Sequence, residues 1–162
     1  MIERAINGGT FATLISVGAR TGTGSVSYTD TTVAVGNSNV YRVAAVNSAG
    51  MSAYSNTANA TIPAPPAAPS NVTATAARQG NNARVTLNWT DNSNNETGFN
   101  IQRATNATFT ANVVNSTVGA NIRTFRTGNV ARNTPFYFRV RAYNGAGQSA
   151  WVNATPFPIT TP

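Results

Sequence analysis

One phrase occurs twice in this chain. Pro135 to Trp151 reads PFYFRVRAYNGAGQSAW, and Val40 to Tyr54 reads VYRVAAVNSAGMSAY. A repeat at this spacing means two copies of one supersecondary unit, each with the same face to bury. In the second copy Phe136, Phe138, Val140 and Ala142 alternate with Tyr137, Arg139, Arg141 and Tyr143. Period two puts the two sets on opposite faces of a half-buried strand. Asn144-Gly145-Ala146-Gly147 follows, a turn of residues that tolerate positive φ. A return strand is expected from about Ser149 to Ala154.

The repeat extends upstream of the hairpin. Ile2-Glu3-Arg4-Ala5 answers Ile101-Gln102-Arg103-Ala104, Tyr28 answers Phe125, and Tyr54 answers Trp151. Short strands with turn signals between them and no helical period point to an all-β sandwich. Pro63, Pro65, Pro66 and Pro69 form an extended connector. This gives a first unit over 1–62, a linker over 63–69, a second unit over 70–158 and a tail over 159–162. In the second unit strands are expected at 71–76, 83–90, 99–104, 113–118 and 123–127, with Val85, Leu87 and Trp89 on one face.

The ordered set LNWTD, GFNIQRA and FYFRVRAYNGAGQSAW resembles a fibronectin type III domain over about 70–158. Residues 1–62 resemble the later part of a second such domain. The resemblance implies tandem fibronectin type III, immunoglobulin-like β-sandwiches, the first incomplete, with Trp89 in the second core. It also implies a tyrosine near the start of the sixth strand, whose hydroxyl bonds back to the chain. Phe136 and Asn39 stand there instead, so that bond is expected to be missing. The first copy has no counterpart of the first two strands, which leaves Ile2, Tyr28, Tyr41, Val43 and Ala45 partly uncovered. Such a piece alone buries too little apolar surface to offset its chain entropy. The expected partners are therefore the rest of a longer parent chain or copies of this one. The 152–162 segment is the one donor strand the sequence itself offers.

Composition narrows the function classes. Charged residues make up 9% of the 162, against about 25% in an average globular protein. All eleven basic residues are Arg, against four acids, giving a net charge of +7. The Arg residues are scattered, whereas nucleic-acid binders cluster them, so nucleic acid is not an expected partner. Cys and His are absent, which removes disulfides and thiolate or imidazole metal sites. Without His, Cys or Lys almost no usual nucleophile–base pair can be built, so no enzyme activity and no cofactor are expected. The loop from Asp91 to Glu96 has only two carboxylates, fewer than a calcium site uses. No apolar run has the length of a membrane span, and Met1 to Arg4 does not begin a signal peptide.

Two surface features remain. Tyr137, Arg139, Arg141 and Tyr143 form an outward row that could contact a glycan or partner, or simply clad the sheet. Asn-x-Ser/Thr occurs at Asn59, Asn71, Asn95, Asn106, Asn115 and Asn153, and at Asn88 beside Trp89, as glycosylation candidates in an exported protein. The functional expectation is a non-catalytic extracellular or cell-surface structural or adhesive module, in its strongest form a fibre, sheath or surface-layer subunit. The alternative is an accessory polysaccharide-binding or spacer module of a larger secreted enzyme.

Overall fold

The computed structural model describes residues 1–19 and 21–162. In chain order the strands are β1 (Ile2–Ile6), β2 (Ala12–Ile15), β3 (Ser38–Val43), β4 (Val46–Asn47), β5 (Gly50–Met51), β6 (Ala58–Thr61), β7 (Ser70–Gln79), β8 (Asn82–Thr90), β9 (Gly98–Ala104), β10 (Val114–Gly119), β11 (Thr124–Arg126), β12 (Pro135–Asn144), β13 (Gly147–Gln148), β14 (Val152–Asn153) and β15 (Ile159–Thr160). No helix occurs among the described residues. The chain divides into two compact units, Met1–Ala64 and Pro65–Pro162.

The second unit is a two-sheet sandwich. One sheet runs β10-β9-β12, with β13, β14 and β15 also pairing β12, and the other runs β11-β8-β7. The alternation in β8 buries Ala83, Val85, Leu87 and Trp89, and that in β12 buries Phe136, Phe138, Val140 and Ala142. Phe99 and Ile101 complete the facing layer, and Trp89 packs against Phe99 with ring centroids 5.4 Å apart. Burying each large side chain contributes roughly 1.5–3 kcal/mol, so this layer dominates the sandwich. Pro66 and Pro69 are buried too, and Pro65 lies against Gly147. Most of the expected connector is therefore packed in this unit.

Two features of the C-terminal end differ from the expectation. The return strand is not continuous: β13 and β14 are separated by residues 149–151. The segment 152–162 is also not free to be donated. Val152–Asn153 pairs with Arg139 and Val140, and Ile159–Thr160 pairs with Pro135 and Phe136. Ile159 and Thr161 are buried. The sequence reading missed this because β14 and β15 are only two residues each and three prolines surround them. Their pairing is supplied by β12, ten residues long, which takes β15 at its start and β14 at its middle.

The last segment also explains how the missing tyrosine is replaced. The Thr161 hydroxyl accepts from the Thr134 N–H at 3.1 Å and donates to the Ala131 carbonyl at 2.8 Å. It thus pins the corner that leads into β12, while Phe136 fills the core below it. In the first unit Asn39 occupies the corresponding place, fully buried, with its Nδ2 donating to the Asn37 carbonyl at 3.5 Å.

Among its described residues the first unit has one sheet, β2-β1-β3-β6, and the small hairpin β4-β5. Its turn repeats the one between β12 and β13. Asn47 and Asn144 each accept from an N–H two residues on, and Gly50 and Gly147 both have φ beyond +130°, where a side chain would be strained. The segment around Tyr28, which answers β11, contains no strand among its described residues. The reason is visible in the second unit, where β11 pairs only with β8. Residues 1–64 hold no counterpart of β8, so the Tyr28 segment has no ladder to join.

Candidate functional site

The outward row of the second unit is a packed structure. Arg139 donates from Nε to Gln102 Oε1 at 2.7 Å, and its guanidinium lies 3.9 Å from the Phe109 ring centroid and 4.6 Å from that of Trp151. Arg141 lies 4.2 Å from the Trp151 centroid. Tyr137 meets Phe157 edge-on at 4.8 Å, and Tyr143 lies across Gly98. Burial, followed by the nearby Arg141 charge, lowers the Arg139 pKa below its ordinary value. Stacked cations of this kind are favourable by about 0.5–2 kcal/mol each.

The first unit builds the same device. Arg42 donates from Nε to Glu3 at 2.8 Å, and its guanidinium lies 4.0 Å from Phe11 and 3.7 Å from Tyr54. Tyr54 in turn donates to Glu3 at 2.8 Å. The Arg42 and then the Tyr54 hydrogen bond lower the Glu3 pKa despite its burial. Arg42 answers Arg139, Glu3 answers Gln102, and Tyr54 answers Trp151. The partners Phe11 and Phe109 escaped the sequence reading, because they sit in turns outside the strand pattern. The offset of 98 between them is the signal that finds them. The same arginine–aromatic packing thus recurs in both units, with Arg139 over the Phe109 and Trp151 rings and Arg141 over that of Trp151.

The opposite face of the first sheet is different. Val43 answers Val140 and Tyr28 answers Phe125. Val140 is fully buried, whereas Val43 is 47% and Tyr28 40% exposed. Together with Ile2, Val33, Tyr41 and Ile62 they line an open cavity of about 430 Å³. In the second unit β7 and β8 lie over the corresponding face. One polar cluster sits here: Arg4 and the Tyr41 hydroxyl both donate to Asp30 Oδ2, at 2.7 and 2.9 Å, and Thr32 donates twice to Oδ1. Burial opposes ionisation of Asp30, but these hydrogen bonds and the Arg4 charge prevail and lower its pKa to about 2.

Of the remaining candidates, Asn115 accepts from Gln102 Nε2 at 2.9 Å and Asn153 pairs with Arg139, so both border the outward row. In the 91–96 loop the Asp91 carboxylate accepts from Ser93 N–H and that of Glu96 from Asn121 N–H. Its own backbone N–H, and then that of Asn121 against the effect of burial, lower the Glu96 pKa. Among the described residues no three of His, Cys, Asp and Glu lie together. Asn59, Asn71, Asn95, Asn115 and Asn153 are exposed. Asn106 is half-buried and uses both ends of its amide within its own turn. Asn88 is exposed as well, because alternation turns it away from the core that Trp89 enters.

Two antiparallel sheets packed around an inward tryptophan, with this strand order, define an immunoglobulin-like β-sandwich. The family model described as fibronectin type III domain matches residues 67–157, more than half of the chain. The chain belongs to the fibronectin type III family. Its fold is similar to the FN1–FN3 domains of chicken CNTN1, at 19% identity and a TM-score of 0.55, covering 83% of this chain and 45% of that one. It is also similar to the fn3 domain of human collagen alpha-1(XX) chain, at 19% identity and a TM-score of 0.47, covering 58% of this chain and 83% of that one. The chain thus spans less than half of the CNTN1 structure that it matches. No curated protein matches it. Domains of this family are commonly non-catalytic adhesive or spacer modules, typically of extracellular or surface-exposed proteins.

Proposed function

We propose that this chain is a non-catalytic extracellular structural or adhesive module whose first unit is completed by strands from another segment. In its fullest form the proposal is a self-assembling fibre, sheath or surface-layer subunit. The observation that carries it is the open apolar face at Val43, Tyr28, Ile2 and Tyr41. A sheet face of this kind gains stability when a partner removes it from water. Sparse charge and absent Lys support close packing of neutral surfaces, since charges are a usual guard against edge association. The donor is not the 152–162 segment, which its own unit uses. The test is electron microscopy of the assembly in its native source, with hydrogen exchange of the β1 and β3 amides in the full chain. Filaments or lattices with protected amides support the reading. A dispersed chain with Val43 and Tyr28 open to solvent sinks it.

The alternative of a polysaccharide-binding accessory module has less support. Sugar rings stack on free aromatic faces, and the Phe109 and Trp151 rings beside the outward row already carry arginine. Affinity for an insoluble polysaccharide that is lost on changing Tyr137 and Tyr143 to Ala would reverse this ranking.

A further inference from the structure

Arg4 and Arg103 hold the same place in their units. Arg4 stands opposite Tyr41 on β3, and Arg103 stands opposite Phe138 on β12. Their charge partners differ. Arg4 Nη1 meets the Asp30 carboxylate at 2.7 Å, with both side chains largely buried. Asp30 comes two residues after Tyr28, and the residue two after Phe125 is Thr127. The Thr127 hydroxyl is itself engaged, accepting from Val85 N–H at 3.0 Å. Among the described residues Arg103 consequently has no carboxylate partner. Its Nε is buried and has no hydrogen-bond partner among the described residues, and its guanidinium lies 5.1 Å from the Phe136 ring centroid.

A cavity of about 80 Å³ lies between the edge strands β10 and β11, lined by Arg103, Ser116, Thr127, Phe125, Ile101 and Phe138. A single water needs roughly 10–15 Å³ by this measure, so several fit. One wall offers a cation and two hydroxyls, and the other is aromatic and aliphatic. We propose that this cavity is a binding site for a carboxylate with a short aliphatic stem, which takes the place that Asp30 fills in the first unit. The carboxylate accepts from Arg103, and the stem lies on Phe125 and Ile101. Two sources carry that chemistry: a free short-chain carboxylate, and an acidic side chain of another copy of this chain. Desolvation by burial lowers the Arg103 pKa, as expected of a cation that lacks its counter-charge. This site is independent of what covers the first unit.

The test uses the full chain, labelled so that arginine Nε–Hε signals are resolved by NMR. Sodium acetate is titrated against sodium chloride at equal ionic strength. The Arg103 signal should shift saturably in acetate, with half-saturation about tenfold below that of the exposed Arg126, the difference one charge-assisted hydrogen bond supplies. Acetate-dependent shifts of the Ser116 and Phe125 amides should vanish in Arg103→Met. Thr127→Asp should move the Arg103 signal without acetate and abolish its response. If the signal instead moves with protein concentration in chloride alone, the carboxylate comes from another copy and the site stands. An Arg103 signal that tracks Arg126 in acetate and ignores protein concentration overturns the proposal, whether or not either variant folds.

Discussion

The Thr161 hydroxyl is a single group on which the closure of the second sandwich depends. Thr161→Val keeps the shape of the side chain and removes the hydroxyl. Its hydrogen bonds go with it, one accepted from Thr134 N–H and one proton shared between the Ala131 and Thr134 carbonyls, in a residue only 1% exposed. A hydrogen bond contributes about 0.5–1.5 kcal/mol net, and a buried group left without a partner costs about 1–3 kcal/mol. Ala131 is exposed and Thr134 half-buried, so water can replace part of the loss. The expected destabilisation is therefore about 1–3 kcal/mol in total. For a domain of this size each kcal/mol lowers Tm by about 4–8 °C. Both tryptophans, Trp89 and Trp151, lie in the second unit, so their fluorescence follows its unfolding in denaturant without interference from the first. Thr161→Ser should recover most of the loss, because it restores the hydroxyl. The exposed neighbour Thr160→Val should change stability by less than about 0.5 kcal/mol. If Thr161→Val unfolds with the wild type while Thr161→Ser is destabilised, shape rather than hydrogen bonding closes the corner, and the reasoning fails.

Three further outcomes follow from the same geometry. Ile101→Ala should destabilise the second unit by about 2–5 kcal/mol, whereas Ile2→Ala, on the open face, should destabilise the first by less than about 1 kcal/mol; hydrogen exchange of β9 and β1 amides separates the two, and equal losses would mean that the face is covered. Asp30 has its folded pKa depressed to about 2, so its contribution is complete above pH 4 and lost as pH falls from about 4 to 2; the tyrosine signals of the first unit should change in that window, and Asp30→Asn should remove the change. Gly98→Ala should disrupt the pairing of β9 with β10, because the added Cβ would overlap the Val118 carbonyl oxygen and press on Tyr143; wild-type exchange protection of the β10 amides in this variant would contradict that.

Much of the fold was legible because alternation and repetition are local signals. The faces of β8 and β12 follow from period two alone, and the echo of FYFRVRAYNGAGQSAW in VYRVAAVNSAGMSAY announces two units of one kind. The site was less legible. Tyr137, Arg139, Arg141 and Tyr143 were placed on the outer face by parity, and all four are there, half-buried. What parity does not carry is which side chains come down on them. Phe109, Phe157 and Trp151 arrive from turns and from the return segment, and they pack against Arg139, Arg141 and Tyr137.

Sequence by itself determined the all-β class, the two related units, the inward Trp89 and the absence of cysteine and histidine chemistry. Each of these rests on residue type or on spacing within a few residues. Tertiary structure decided the rest. It put β15 on the start of β12, so that Thr161 took over the corner, and it left the Tyr28 segment without a strand because no β8 counterpart stands beside it. It also paired Arg4 with Asp30 while leaving Arg103 beside a cavity. A strand needs a neighbour to complete its hydrogen bonds, and a buried charge needs a counter-charge. Both are supplied by residues distant in the chain.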